Sequence, residues 1–312
     1  LEPDAKVWQD PAWKDLEDWK LVMPSFYQRA RTMLGAEENL HLGPADRMLK
    51  ESAESEKLGD SFKKTTVGVY FGNPGETVSD PYFGGQGPDR TGCKLCGGCM
   101  VGCRHGAKNS LDFNYLYFAE KQGARIFPDT EVLNVQPLQA NPEGKKGYQI
   151  FCRENTPNGI QDERSFKARW IIFSAGVLGT LPLLLKLRQN GSLPNLSARL
   201  GDQTRTNSEF PIGIRCDDAP EDLSEGNAIG SGFMLDEETQ VEAVHYPKGS
   251  DVMGLTATLM THITLDWRRI LAWFMEILKN PIEFLKTMKI FSWAEKSIIL
   301  LVMQTCESSF QM

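Results

Sequence analysis

The segment Trp170-Ile-Ile-Phe-Ser-Ala-Gly176-Val-Leu-Gly-Thr180 is an apolar run that ends in small residues and leads into a helix. Such a corner is typical of nucleotide-binding α/β domains, because missing side chains let a ligand approach the backbone N–H groups at the start of the helix. A corner that forms for packing alone gives the same pattern, and a lone Gly-rich turn often occurs by chance. The segment therefore predicts a strand, a turn and a helix, and it leaves the ligand open.

The elements around this corner indicate two architectures in one chain. Strands at 124–127, 131–138, 148–153 and 166–174 are predicted to precede a helix over 177–190. From Pro211 onward we predict strands at 211–216, 228–234 and 240–246, then two amphipathic helices separated by Pro281, and a strand at 297–305. The prediction is an α/β fold, α+β overall: a Rossmann-like domain portion joined to a domain with an antiparallel sheet and covering helices.

The overall charge and hydropathy exclude several classes of protein. The 312 residues contain 34 Lys and Arg against 41 Asp and Glu, a net charge of −7. Neutralising phosphates needs clustered Lys and Arg, and no basic run is present, so we expect no nucleic-acid partner. The longest apolar runs, at 270–275 and 298–303, are far shorter than the roughly 20 residues that cross a bilayer. No leader pattern precedes Pro3, and we expect a cytoplasmic protein that can contact a membrane peripherally.

Four of the seven cysteines lie in one C-x2-C-x2-C-x3-C segment. This is the spacing with which bacterial ferredoxins bind an iron–sulfur cluster, although Arg104 stands where Pro usually follows the fourth cysteine. A zinc site, with all four thiolates or with three of them and His105, has the same signature. Free thiols or a disulfide in a loop are the non-metal alternative. The candidate metal ligands are Cys93, Cys96, Cys99 and Cys103.

A carboxylate within a strand is a further candidate. Glu242 lies between Val241 and Val244, close to His245. A buried position would raise the pKa of its carboxyl group and allow it to act as a general base. An exposed glutamate in an alternating strand is the simpler interpretation.

The two amphipathic helices, predicted over 265–278 and 282–291, carry large apolar side chains at helical spacing. Core packing is the default explanation of such a stripe. The alternative is an apolar lid over a greasy substrate, or a surface that touches lipid.

Several short motifs follow one another along the chain: Asp80-Pro-Tyr-Phe-Gly-Gly, Gly87-Pro-Asp-Arg90, Gly102-Cys-Arg-His-Gly-Ala-Lys-Asn-Ser-Leu111, Asn114-Tyr-Leu116, Ser174-Ala-Gly176, Leu193-Pro-Asn-Leu-Ser-Ala-Arg-Leu-Gly201 and Thr204-Arg-Thr-Asn-Ser-Glu209. In this order they resemble the glucose–methanol–choline (GMC) oxidoreductases. The resemblance is closest to the cholesterol oxidase-like branch, which carries the same cysteine-rich segment, and it extends through nearly all of the chain.

The resemblance implies a flavoprotein that binds FAD. Val132, in Thr130-Glu-Val-Leu, matches the position whose backbone contacts the adenine, and the small-residue corner matches at Ser174, Ala175 and Gly176. The flavin would carry the redox chemistry, and the protein would supply positioning and electrostatics.

The resemblance also implies oxidation of the CH–OH group of an apolar alcohol, best matched by a sterol, with O2 as acceptor. In this reaction a 3-hydroxysteroid becomes a ketone, and the double bond can then isomerise. Alignment on Pro247 and Gly249 places Glu242 at the carboxylate that moves a proton during isomerisation in steroid-oxidising members. A proton transfer between carbons needs a base held in an apolar cavity, so the local chemistry agrees.

Two other functions fit parts of the sequence. If the cysteines hold a [4Fe–4S] cluster, electrons could leave through it, and the protein would be an FAD alcohol dehydrogenase that uses another acceptor. A non-enzymatic metal or iron–sulfur binding module would keep the cysteines and need no flavin.

The sequence also departs from the resemblance. Family members begin with a strand, a G-x-G-x-x-G turn and a helix that hold the FAD pyrophosphate, and they carry a catalytic His and Asn near the C-terminus; neither has a match here. We therefore expect a piece of a longer flavoenzyme, inactive by itself. In it, 1–104 is a helical and Cys-rich segment belonging partly to the substrate domain, 105–208 is the middle of the FAD-binding domain, and 209–312 is part of the substrate-binding domain.

Overall fold

The computed structural model describes residues 3, 5–141, 143–155, 158–159, 161–202, 204, 206–261 and 268–305. They fall into two compact units. The first unit is formed by Leu1–Gly123 together with Ser208–Thr305, and the second by Ala124–Asn207. The second unit is thus an insertion, in sequence, between the two segments of the first. The predicted three-part division of the whole protein stays a prediction.

Helices and short antiparallel sheets alternate along the described chain. The α-helices are α1 (Trp19–Leu34), α2 (Pro44–Ser55), α3 (Tyr115–Lys121), α4 (Gly176–Gln189), α5 (Arg268–Lys279), α6 (Pro281–Thr287) and α7 (Trp293–Lys296). The strands are β1 (Glu37–Glu38), β2 (Lys63–Lys64), β3 (Thr66–Val67), β4 (Thr77–Val78), β5 (Arg90–Thr91), β6 (Thr130–Pro137), β7 (Tyr148–Asn155), β8 (Gln161–Ala168), β9 (Phe210–Arg215), β10 (Ile229–Met234), β11 (Thr239–Val244) and β12 (Ser297–Gln304).

The main sheet of the first unit has five strands in the order β2-β10-β11-β12-β9, and all neighbours are antiparallel. The central strand, β11, is therefore paired along both edges. The strands predicted at 211–216, 228–234, 240–246 and 297–305 correspond to β9, β10, β11 and β12. The mixed α/β prediction, with an antiparallel sheet covered by helices, is confirmed.

Helix α2 covers one face of this sheet and forms the core with it. Side chains alternate across a strand, so Val241 and Ala243 pack towards α2, whereas Glu242 points to the opposite face. The buried core residues are Ala45, Leu49, Ala53, Ala219, Leu223, Phe233, Val241, Ala243 and Ile298.

The helix ends follow local sequence rules. The Asp18 side chain accepts a hydrogen bond from the backbone N–H of Leu21 at 3.3 Å at the start of α1. The same helix ends at Gly35, whose φ of 52° is left-handed and therefore suits glycine. Helix α2 begins at Pro44, where the missing N–H would have no helical partner in any case.

The second unit contains a three-stranded antiparallel meander, β6-β7-β8, and helix α4. A bulge interrupts the pairing of β6 with β7 between Val132 and Asn134, and α4 packs against β6. The strands predicted at 131–138 and 148–153 and the helix predicted over 177–190 are confirmed.

Two strands predicted in this unit are wrong. Residues 124–127 form no strand, and the strand predicted over 166–174 ends at Ala168. A strand exists only where a neighbour accepts its hydrogen bonds, and no described strand pairs with 169–174. Trp170 and Ile172 are accordingly 75% and 88% exposed.

Helices α5 and α6 confirm the predicted pair separated by Pro281, although 265–267 of the first lie outside the described residues. No residue of α5 or α6 is buried, so among the described residues these helices do not pack into a core, contrary to the default explanation. Among the described residues, no helix combines the length and apolar character that a bilayer crossing requires.

Candidate functional site

Glu242 lies at the centre of the main sheet, and only 8% of the residue is exposed. It stands opposite Gly232 on β10 and Leu301 on β12. A Cβ at Gly232 would be 3.0 Å from the Glu242 Cγ, so the glycine leaves room for this side chain. The Gln240 side-chain amide donates to Glu242 Oε1 at 2.7 Å and fixes the carboxyl orientation. The simpler interpretation, an exposed strand glutamate, is wrong.

The surroundings of this carboxyl group make it a stronger base. Burial raises the pKa of Glu242, the negative charge of Glu209 raises it further, and the hydrogen bond from Gln240 opposes both. By strand pairing and alternation, its neighbours on the same sheet face are Gln240 and the apolar residues Val244, Ile299 and Leu301. An orientated carboxylate beside apolar side chains can move a proton between carbon atoms.

Beyond β11, the chain reaches His245, which is 1% exposed. Its imidazole lies against two glycines: a Cβ at Gly97 or at Gly226 would be 3.3 or 3.4 Å from ring atoms. Burial lowers the pKa of His245. The histidine therefore connects the end of the Glu242 strand with the loop that carries the cysteines.

All four clustered cysteines line one small cavity together with His105. The loop is anchored to the segment before β10, because Gly97 donates to the Gly226 carbonyl and Gly226 donates to the Leu95 carbonyl, both at 2.9 Å. Gly97 itself has a φ of 67°, so the turn between the second and third cysteines needs glycine. The described cysteines are free thiols.

The four sulfur atoms have unequal surroundings. Burial raises the pKa of Cys93 to about 11 and also raises that of Cys99. For Cys103, burial is outweighed by the backbone N–H groups of 105–108, and the pKa is lowered. The Asn227 Oδ1 atom is 3.9 Å from the Cys93 Sγ and 4.0 Å from the Cys99 Sγ.

The structure does not itself assign a metal to this cluster. Among the described residues, no three His, Cys, Asp or Glu side chains are arranged to hold a single metal ion. The metal role of Cys93, Cys96, Cys99 and Cys103 stays a prediction.

Arg90 is a buried residue whose role the sequence did not indicate, and it is 1% exposed. It donates to Asn109 Oδ1 at 2.8 Å, to the Pro88 carbonyl at 2.8 Å and to the Phe113 carbonyl at 2.7 Å, and its guanidinium lies 4.6 Å from the Phe113 ring centroid. These contacts hold both ends of the cysteine loop. The surrounding Gly- and Pro-rich segment has no periodicity that would reveal them.

The small-residue corner lies in the second unit. Gly176, with a φ of 66°, begins α4, and nothing lies within 4 Å of the place a Cβ would take. No side chain caps this helix start. Val132 lies on β6, the strand against which α4 packs, beside the bulge. Ser174 and Ala175 are exposed, and the roles predicted for Val132, Ser174, Ala175 and Gly176 stay predictions.

Comparison with known proteins defines the class. A family model described as GMC oxidoreductase matches residues 86–204, from the loop before the cysteines to the end of the second unit. The chain belongs to the GMC oxidoreductase family. It is 43% identical over 316 residues to a cholesterol oxidase of Acinetobacter baumannii, covering 100% of this chain and 57% of that protein.

Cholesterol oxidases of Mycobacterium tuberculosis, from strains CDC 1551 / Oshkosh and H37Rv, are each 40% identical over 321 residues. The match covers 98% of this chain and 54% of each relative. The chain thus spans about half the length of the curated relatives it matches.

Proposed function

We propose that the full-length protein is an FAD-dependent oxidoreductase that converts the CH–OH group of an apolar alcohol, a sterol, to a ketone with O2 as acceptor. Family membership supports the reaction class, and the cholesterol oxidase relatives support the sterol. The main structural support for this substrate class is the environment of Glu242. Its carboxyl group is buried beside apolar side chains of one sheet face, and its pKa is raised.

The corner in the second unit fits a flavin nucleotide. The space beside Gly176 is open, and no side chain caps the first turn of α4, so a ligand can approach the backbone there. Ser174, Ala175 and Gly176 would hold the cofactor at this corner, and Val132 would contact its adenine through the backbone. FAD supplies the hydride acceptor for alcohol oxidation when bound.

Glu242 would act after the alcohol has become a ketone. In a sterol whose double bond is one carbon removed from the new ketone, the C–H between the two groups is acidic. The carboxylate takes that proton and returns it at the far end of the double bond, which gives a conjugated ketone with no net loss of atoms. The hydrogen bond from Gln240 orients the Oε1 atom for this transfer.

The Glu242→Gln variant of the full-length protein tests this role with cholesterol as substrate. Loss of a positioned general base should lower the rate of conjugated-ketone formation about 10²-fold or more, because the amide cannot accept the proton. Oxidation itself should continue, so the non-conjugated ketone should accumulate, as measured by chromatography and by enone absorbance.

Glu237→Gln is the matched control, since Glu237 is exposed at the turn of the same β10–β11 hairpin. It should leave both steps unchanged. Unchanged isomerisation in Glu242→Gln would show that another group moves the proton. Hydrogen peroxide equal to the ketone formed would support O2 as acceptor, and ketone without peroxide would contradict it.

Peripheral membrane contact through α5 and α6 would deliver the apolar substrate to the protein. Helices α5 and α6 expose large apolar side chains, and the segment 268–291 is also basic, with five Lys and Arg against two Glu. This combination is typical of helices that lie in a lipid interface. The exposed residues are Ile270, Leu271, Phe274, Met275, Leu278, Ile282, Leu285, Met288 and Phe291.

Sedimentation of the full-length protein with sterol-containing anionic vesicles tests this contact. Leu278→Ser should reduce the bound fraction, whereas Leu16→Ser should not, although both leucines are 74% exposed. Equal binding by the two variants, or no binding by the parent protein, would contradict the role of these helices.

A further inference from the structure

The motif Thr204-Arg-Thr-Asn-Ser-Glu209 leads into β9, and the proposed function assigns it no role. It ends in Glu209, an exposed residue directly before the strand. The backbone of Ser208 has a φ of 48°, in the left-handed region that residues other than glycine rarely adopt. Such strained conformations are often found at functional sites. The motif therefore brings Glu209 to the sheet edge directly after a strained residue.

Strand pairing places Glu209 and Glu242 on one face of the main sheet. Glu242 pairs with Leu301, and Leu301 pairs with Pro211 on β9. Paired residues point to the same face of a sheet, and so do residues two positions apart along a strand. Because Glu209 comes two residues before Pro211, continued alternation gives its side chain the same face as Glu242, across β12.

The charge of Glu209 acts on the carboxyl group of Glu242. Burial is the larger cause of the raised pKa of Glu242, and the negative charge of Glu209 is the second cause. The hydrogen bond from Gln240 acts in the opposite direction. Both carboxyl groups belong to the first unit, so the effect arises within one compact part of the chain.

Two basic residues share this sheet face by strand pairing. Lys63 on β2 pairs with Gly232, and Arg215 on β9 pairs with Ser297. The Arg215 Nε atom is 2.8 Å from a carboxylate oxygen of Asp217, and the Lys63 side chain is exposed. Among the described charged residues, Glu209 is the one whose charge shifts the pKa of Glu242.

Two carboxyl groups in unlike environments can have different roles in one reaction. Glu242 is buried beside apolar side chains, whereas Glu209 is exposed to water, which solvates its charge. A negative charge close to a buried carboxylate makes that carboxylate a stronger base, because proton uptake removes the repulsion between the two groups. Base strength affects the isomerisation directly, since the base removes a proton from carbon.

We propose that Glu209 is a positioning residue for the isomerisation: its negative charge acts on the Glu242 carboxylate from the same sheet face and makes it a better proton acceptor. Glu209 acts through Glu242 and does not itself take the proton. The proton moves from the carbon between the ketone and the double bond to Glu242 and then to the far end of the double bond, and no electron is transferred. This inference rests on the proposed function, because it requires Glu242 to be the base.

The test uses flavin-loaded full-length protein with the non-conjugated ketosteroid added directly, so that oxidation does not enter the measured rate. Formation of the conjugated ketone is followed by enone absorbance as a function of pH. In Glu209→Gln the rate should reach half its maximum at a lower pH than in the parent protein, because Glu242 becomes a weaker base. The maximum rate should fall by about 2- to 10-fold, since a weaker base removes a proton from carbon more slowly.

A second measurement needs no variant. Raising the salt concentration should move the half-maximal pH of the parent protein in the same direction as Glu209→Gln does, because the exposed charge of Glu209 is screened. Glu209→Asp keeps the charge and should keep a profile close to that of the parent protein. Glu237→Gln removes an equal charge from the exposed β10–β11 turn and should leave the profile unchanged.

A parental pH profile in Glu209→Gln, or an equal displacement in Glu237→Gln, would overturn the inference. The proposed function would be intact in that case, provided that Glu242→Gln still loses isomerisation. Isomerisation of the added ketone at the parental rate by Glu242→Gln would contradict the role proposed for Glu242, and the inference about Glu209 with it.

Discussion

Two apolar segments of this chain lie in opposite environments, one buried within a sheet and the other exposed. Strand β12 lies between β11 and β9, and its Ile298 is 5% exposed. The segment 169–174, in which four of six residues are apolar, has no strand beside it among the described residues, and its Ile172 is 88% exposed. The difference lies in the neighbours. Strand-forming residues give a strand only where another strand and a covering layer accept them.

The largest effect should come from truncating the buried isoleucine. Ile298→Ala removes side-chain atoms from the core between α2 and the main sheet and should lower the free energy of unfolding by about 2–5 kcal/mol. Ile172→Ala should change it by no more than about 0.5 kcal/mol in the chain 1–312, because the side chain already faces water. Urea denaturation of both variants gives the two values.

Equal losses of stability for these two substitutions would contradict the different environments of the two segments. A large loss for Ile172→Ala only in the full-length protein would show that the segment acquires its neighbours there.

We expect a loss of stability of intermediate size in the cysteine loop, which is held by polar side-chain contacts rather than by strand pairing. Arg90 holds the cysteine loop through buried hydrogen bonds to Asn109, Pro88 and Phe113. Arg90→Lys replaces the planar guanidinium group with a single ammonium group and leaves some of these oxygen atoms without a donor. This should lower the free energy of unfolding by about 1–3 kcal/mol. Arg104→Lys, at an exposed position of the same loop, should be near neutral. Thermal unfolding measures both effects, and equal unfolding temperatures for the two variants would show that the buried guanidinium group of Arg90 does not stabilise the loop.

The smallest effect concerns Glu242 and depends on pH. Its pKa is raised in the folded state, so the stability that its neutral form contributes is present below the ordinary value of 4.5 and is lost as the pH rises through the folded-state value. Glu242→Gln stays neutral. The stability of this variant relative to the parent protein should therefore increase as the pH rises from below 4.5 through the raised folded-state pKa of Glu242. A constant difference across this range would show that the carboxyl group is not perturbed.

The sequence predicted the main sheet well because its strand segments are short, rich in apolar and β-branched residues, and have their pairing partners within the chain. The two-residue period of a strand also indicated that Glu242 and Val241 face opposite sides of the sheet. It did not predict which face is buried, since that depends on Gly232 and on α2, which are distant in sequence. The strand predicted over 166–174 was wrong for a similar reason. Apolar content shows that a segment is able to form a strand, but it does not show whether a pairing strand lies beside it.

Prediction of the candidate site from the sequence was limited in the same way, because contacts between distant segments are not visible in the sequence. The cysteine spacing predicted metal ligands, with free thiols or a disulfide as the alternative, and the structure shows that all four thiols line one cavity. Arg90 could not be predicted, because its partners are defined only after the loop closes. The backbone N–H groups around Cys103 are equally invisible in the sequence, as every residue type supplies the same donor.

The most direct test of the proposed reaction is anaerobic mixing of the full-length protein with cholesterol while the flavin absorbance is recorded. If the protein oxidises a sterol with FAD, the bound flavin should bleach and the sterol should become a ketone in equal amount, and the oxidised spectrum should return when O2 is admitted. A flavin-loaded protein whose absorbance is unchanged by the sterol, or a purified protein without flavin, would contradict it.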